Sequence, residues 1–189
     1  MSAYPARARG LWLVPFVLAE FALRRDRGVL KSRLIRALLG GLRRADVTAL
    51  TTNFLGRHWT RLFHAQALAA LERHRAAGDY LVILSASTDL YVPAIGARLD
   101  VDRVVCTELR WQDDGLDGAL ASANRRGAEK TRCIEALRAL HAGATICAYG
   151  NARSDLDHLA KVDRGIVVNG SRSTRRRAAA LGLATVHWR

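Results

Sequence analysis

Cysteine is scarce and scattered. Cys106, Cys133 and Cys147 form no C-x-x-C pair, and no two histidines stand at metal-ligand spacing. Such a set argues against structural zinc and against a disulfide framework. It reads as free buried thiols in a reducing compartment, hence a cytoplasmic protein. Lysine is nearly missing: of thirty basic residues only Lys31, Lys130 and Lys161 are lysines, the rest arginine. The net charge of +13 therefore reads first as compositional bias, and no specific nucleic-acid partner is expected. A basic chain still attracts polyanions and acidic lipid surfaces. Long apolar runs are missing too. The most apolar stretch, 11–23, has thirteen residues interrupted by Pro15 and Glu20, too short to span a bilayer. Arg7 and Arg9 precede it as in a signal peptide, but no small-x-small cleavage site follows. A buried first helix is expected, with peripheral membrane contact through Trp12 and Phe16 as the alternative.

What is present is ample material for a core. Half of the 189 residues are hydrophobic, enough for one domain with a helical insert. No internal repeat or low-complexity linker divides the chain. Leu30, Leu34, Leu38 and Ile35, Leu39, Leu42 recur at helical spacing, with Lys31, Arg33 and Arg36 opposite, until Gly40-Gly41 ends the helix. A second helix is expected over 46–61, burying Val47, Leu50, Phe54 and Leu62. A third is expected over 65–77 and stops at Gly78. From Tyr80 the pattern alternates. Strands are expected at 80–84, 103–106, 145–149, 165–168 and 185–188, with helices at 90–98, 128–141 and 155–161. Residues 109–120 read as a hairpin turning at Asp113-Asp114-Gly115, and Arg175 as the start of a short terminal helix. Strands alternating with helices of this length mean a parallel, right-handed α/β sheet.

Three stretches carry chemistry. In the first, the strand at 145–149 ends in Gly150-Asn151, and Ser154 is placed to cap a helix from Asp155. Such a strand end is where open α/β sheets place ligands. In the second, the run Tyr80–Leu84 closes with Ser85-Ala86-Ser87-Thr88-Asp89. The third, Asn124-Arg125-Arg126-Gly127-Ala128-Glu129-Lys130, puts a rare lysine into the first turn of a helix. Plain alternatives exist for each. Ser85 can cap the next helix, Lys130 can be a surface residue, Asp155 can answer the helix dipole, and Asn151 is an ordinary turn residue.

Taken together and in this order, the three stretches resemble the motifs of the haloacid-dehalogenase (HAD) superfamily, in the branch that looks like phosphoserine phosphatase. The resemblance implies a Rossmann-like parallel core over 78–189 and an N-terminal helical cap over 1–77. It implies a magnesium-dependent phosphatase acting on a small phosphorylated molecule. Ser85 and the backbone N–H groups of an Ala86-Ser87 turn would hold a phosphate oxygen. Lys130 would reach the phosphoryl group and the nucleophile. Asn151 and Asp155 would stand at the metal, Asn151 replacing a usual Asp and so removing one negative charge from a divalent-ion site.

The family's opening motif is absent. It is a hydrophobic strand followed by Asp-x-Asp-x-Thr, and no such pattern occurs before Tyr80; Asp26 lies in a charge cluster, and Asp155-x-Asp157 belongs to the last motif. The nucleophile is therefore not among these residues. In the family that strand lies between those at 80–84 and 145–149, and its removal leaves two unpaired edges. The natural chain is accordingly expected to start upstream of Met1, by about 25–40 residues at strand rise. Three readings follow: a truncated HAD phosphatase, a catalytically inactive relative binding a phosphorylated ligand, or a basic nucleic-acid or membrane-surface binding protein. The substrate itself stays open.

Overall fold

A computed structural model describes residues 14, 15, 17, 18 and 26–188. Of the apolar N-terminal stretch, Val17 is buried and Leu18 exposed within helical backbone. Trp12 and Phe16 lie outside the described residues. Among the described residues no helix is long and apolar enough to cross a membrane. The chain divides into two compact units, 1–57 with 87–98 and 106–124, and 58–86 with 99–105 and 125–189.

The first unit is built on α1 (Arg27–Leu39), most of α2 (Arg44–Leu62), α4 (Val92–Arg98) and the hairpin β3 (Leu109–Gln112) with β4 (Gly115–Leu120). Asp26 starts α1 by accepting from the backbone N–H groups of Gly28 (2.7 Å) and Val29 (3.1 Å). Gly40 and Gly41 end it, as expected, with Gly41 at φ 78°. The hairpin forms where the Asp113-Asp114 turn requires it, with antiparallel pairing from Gln112↔Gly115 to Leu109↔Leu120. Its β4 strand lies close against α1. A Cβ on Gly118, which sits at φ 83°, would stand 2.8 Å from the Arg36 Cα, so only glycine fits. The expected stripe of α2 is corrected: Val47 and Leu55 are buried, while Leu50, Phe54 and Leu62 are exposed.

The second unit holds α3 (Ala65–Ala76), the first part of β1 (Val82–Thr88) and of β2 (Arg103–Thr107), α5 (Ala128–Leu140) and β5 (Cys147–Gly150). A 3-10 turn (Arg153–Asp155), α6 (Leu156–Leu159), β6 (Arg164–Val168), α7 (Arg172–Ala180) and β7 (Ala184–Val186) complete it. Strands β5, β6 and β7 pair in that order and are parallel throughout, the α/β architecture the alternation implied. Their core is the cluster Leu156, Leu159, Val167 and Ala178, with Ala148 and Leu183 against it. Gly165 permits α6 to lie on β6, since a Cβ there would stand 2.2 Å from the Leu159 carbonyl oxygen. β1 pairs with β2 in a separate two-stranded sheet. The Asp102 carboxylate accepts from the Leu81 N–H at 2.6 Å where that sheet begins.

Three local expectations fail for local reasons. β1 does not stop at Leu84 but runs to Thr88, so Ala86 and Ser87 are strand residues and form no turn; the turn follows at Asp89. Ser154 does not cap a helix, because the 3-10 turn starts at Arg153 and Asp155 supplies the capping oxygen. The last helix starts at Arg172, three residues before Arg175, because the Ser171 hydroxyl accepts from the Thr174 N–H.

Candidate functional site

Within the second unit, a cavity of about 660 Å³ is walled on one side by consecutive residues 80–84 and on the other by 144–149. Leu71 of α3 and Ile134 and Leu137 of α5 line it as well. Side chains alternate in direction along a strand, so a wall made of every successive residue is a strand edge and not a face. The sheet order agrees: among the described residues β5 and β1 each end their sheets.

Lys130 lines this cavity and pairs with Asp155 behind it. Lys130 is the third residue of α5, which the chain enters through Gly127 at φ 56°. Its Nζ donates to Asp155 Oδ1 at 2.9 Å, with only 14% and 8% of the two side chains exposed. The other carboxylate oxygen accepts from the N–H groups of Ala152 (3.0 Å) and Asn151 (3.3 Å). Burial alone would push the Asp155 carboxyl up. The Lys130 ammonium, aided by the Ala152 N–H, outweighs it and holds the group below the usual carboxylate range. Two of the sequence-predicted residues thus form one buried ion pair at the carboxyl end of β5.

Ser85 lies in β1, one residue beyond the part of the strand that walls the cavity. Asn151 is exposed and meets Asp155 through its backbone N–H. As a magnesium site the present residues do not fit. Magnesium takes near-octahedral oxygen ligation with one or two carboxylates, and Asp155 is already held by Lys130 and two backbone donors. Among the described residues no group of three or more His, Cys, Asp or Glu could hold a metal ion.

The sequence reading missed the histidines of this cavity. His158 stands three residues after Asp155, is 4% exposed, and its Nδ1 is buried with no hydrogen-bond partner. Burial first, and then the Lys130 charge, lower its pKa, so it is neutral in the fold. His141 also lines the cavity, and its Nε2 is likewise buried and unpartnered. His74 bridges Asp79 (Nδ1 to Oδ2, 2.6 Å) and the Tyr149 hydroxyl (Nε2 to Oη, 2.9 Å). The spacing of His158 from Asp155 on one helical turn was the available signal; nothing local marked His141 or His74.

A sequence model of the haloacid dehalogenase-like hydrolase family matches residues 3–160. Over 154 residues the chain is 32% identical to Protein CicA of Caulobacter vibrioides, covering 81% of this chain and 68% of that protein. A crystal structure of a protein with unknown function from Bordetella pertussis Tohama I has a TM-score of 0.80 at 19% identity, covering 98% of this chain and 84% of that one. The probable phosphoserine phosphatase from Vibrio cholerae has a TM-score of 0.73 at 15% identity, covering 96% and 54%. At such identities the two solved structures speak for a shared fold. The match of the family over most of the sequence, together with the parallel sheet and the Lys130–Asp155 pair at its end, places the protein: this chain belongs to the haloacid dehalogenase-like hydrolase family.

Proposed function

We propose that this chain, of 189 residues, carries the phosphate-holding site of a hydrolase for small phosphomonoesters. The observation that carries the reading is the Lys130–Asp155 pair, an ammonium almost out of water and steered by a carboxylate with fixed backbone donors. Phosphoryl transfer asks a protein mainly for positioning and for positive charge where the phosphoryl oxygens gather negative charge. A fixed cation does this best where water is excluded. Lys130 meets the need directly, Asp155 positions it, and the Ser85 hydroxyl is the second phosphate contact. The fold likeness to a probable phosphoserine phosphatase points the same way.

The reaction needs a nucleophilic carboxylate at the end of an apolar strand, and no Asp-x-Asp-x-Thr pattern occurs before Tyr80. One oxygen of that carboxylate attacks phosphorus, the ester P–O bond breaks, and the alcohol leaves with a proton from a neighbouring acid. Water then attacks the acyl phosphate, returns its proton to that group, and releases inorganic phosphate with the carboxylate restored. Magnesium, were it bound, would supply charge for the phosphoryl oxygens, but Asp155 alone is short of the carboxylates such an ion takes.

Phosphate binding without turnover is the second reading, favoured by the missing nucleophile. Titration of the chain with inorganic phosphate, followed calorimetrically, tests what both readings share. Saturable binding is expected, weakened at least about tenfold in Lys130→Ala, the value of a charge-assisted hydrogen bond. Equal, steeply salt-dependent binding by both proteins would sink both readings and leave diffuse polyanion attraction.

A further inference from the structure

We infer that the cavity of the second unit takes an aromatic ring. Tyr149, Trp188 and His74 form a ring-binding subsite on its wall, and the ligand is a phosphomonoester whose alcohol carries an aryl group. The ring subsite rests on the wall alone; only the phosphate end of the ligand rests on the phosphomonoester reading.

The kind of ring on the wall carries the argument. Tyr80, Tyr149, Trp188, His74 and His141 line the cavity, and among the described residues no phenylalanine does. A ring sealed into a core needs no polar tip. Rings with an apolar body and a polar tip suit a surface that meets a ligand. Tyr149 and Tyr80 are 38% and 50% exposed, so neither is closed in by the protein's own packing. The volume of about 660 Å³ lies in the range of small-molecule sites, which are mostly apolar and aromatic with a few polar groups.

Two of these rings are held still. Asp79 Oδ2 lies 2.6 Å from His74 Nδ1, and His74 Nε2 lies 2.9 Å from the Tyr149 hydroxyl. With the carboxylate taking the Nδ1 proton, Nε2 accepts and the Tyr149 hydroxyl donates, which pins that ring by its tip. Trp188 is pinned through its backbone by both ends of the Asn169 amide. Nδ2 donates to the Trp188 carbonyl at 2.9 Å, and Oδ1 accepts from the Trp188 N–H at 2.8 Å. The Tyr149 and Trp188 rings stand 5.6 Å apart at 36°. A ring between them would need two carbon–carbon contacts of about 3.5 Å each, so the ligand ring lies on the cavity side of the pair. Rigid aromatic anchors bind with little loss of side-chain freedom. Tyr149 is the penultimate residue of β5, and Lys130 pairs with Asp155 just past that strand's end. Ring and phosphate subsites are thus neighbours in one cavity.

The test titrates the chain calorimetrically with phenyl phosphate, cyclohexyl phosphate and inorganic phosphate, and follows phenol by saturation-transfer NMR. The cyclohexyl ester is close to the phenyl ester in size and apolar area, so the pair isolates what the ring face adds. Phenyl phosphate is expected to bind at least about tenfold tighter than inorganic phosphate. It should bind about fivefold tighter than the cyclohexyl ester, the worth of an aromatic pair beyond its buried area. That second ratio should shrink toward one in Trp188→Leu. Asn169→Gly suits the left-handed backbone at φ 49° but removes the clamp, and should lower the ratio at least about twofold with Trp188 still present. Thermal unfolding shows whether each variant folds. Equal affinity for the two esters, or a ratio unmoved in both variants, overturns the ring subsite. Phenol that binds saturably and weakens in Trp188→Leu, while no phosphate compound binds, upholds the ring subsite and sinks the phosphomonoester reading. Saturable inorganic phosphate with no gain from the phenyl group does the reverse, and binding of none overturns both.

Discussion

The two units hold themselves together by different means. In the first, no residue of α1 is buried, and polar links do much of the fastening. Asp117 accepts from Arg36 at 2.9 Å and from Arg110 at 2.5 Å, Lys31 donates to Asn124 at 2.6 Å, and the Arg44 guanidinium lies over the Trp111 ring. In the second unit, α6 and α7 close on β6 around side chains with almost no exposure, and yet a large cavity opens beside that core. A densely packed three-stranded sheet beside a cavity teaches that the cavity is not general looseness.

The sharpest way to break that contrast is Lys130→Ala. It leaves the Asp155 charge buried and unpaired, which costs about 3 kcal/mol of stability. Urea unfolding should show this, and the Lys130→Ala/Asp155→Ala double variant should recover part of it. Additive losses would mean that the pair is not coupled. Next in size is the core itself. Leu159→Ala should cost about 3 kcal/mol by leaving a cavity, while Leu50→Ala on the exposed side of α2 should stay within about 0.5 kcal/mol. Near-equal midpoints for the two would erase the distinction between a packed and a polar-fastened unit.

Acid should act on the second unit in two stages. His158 has a lowered pKa in the fold, so the unfolded chain takes up the proton first, and stability falls as pH drops through the ordinary histidine range. Asp155, also lowered, holds its contribution above the unfolded carboxylate value and loses it as pH falls through its own folded pKa. His158→Gln should remove the first stage and keep the second; an unchanged profile would refute this. The smallest effect is expected in the first unit. Asp117→Asn removes the charge that Arg110 and Arg36 share; their guanidiniums, that of Arg110 above all, hold the Asp117 carboxyl below the usual range. The Tm shift should be slight at low ionic strength and vanish with added salt.

Where the chemistry of the fold is local, it could be read in advance. The 109–120 hairpin declares itself through its turn, α5 through its periodicity, and the strands at β5 and β6 through short apolar runs. β1 could not be read to its end. Ser85 to Thr88 look like a turn by composition, but there the partner strand β2 overrides local preference. Phe54 looked like core because helical spacing tells which residues share a face, not whether anything covers that face. In the site, Lys130 and Asp155 were legible as parts of motifs. His158 and His141 were not, since a lone histidine has the same letter whether it is satisfied or orphaned.

Asp155 divides its two oxygens between partners that differ in kind, one the side-chain ammonium of Lys130 and the other the backbone amides of Asn151 and Ala152. Any anion that draws Lys130 away changes the electron density left for those amides. An anion that drew Lys130 toward itself would therefore be expected to shift the proton resonances of Asn151 and Ala152, whether or not any bond is ever broken.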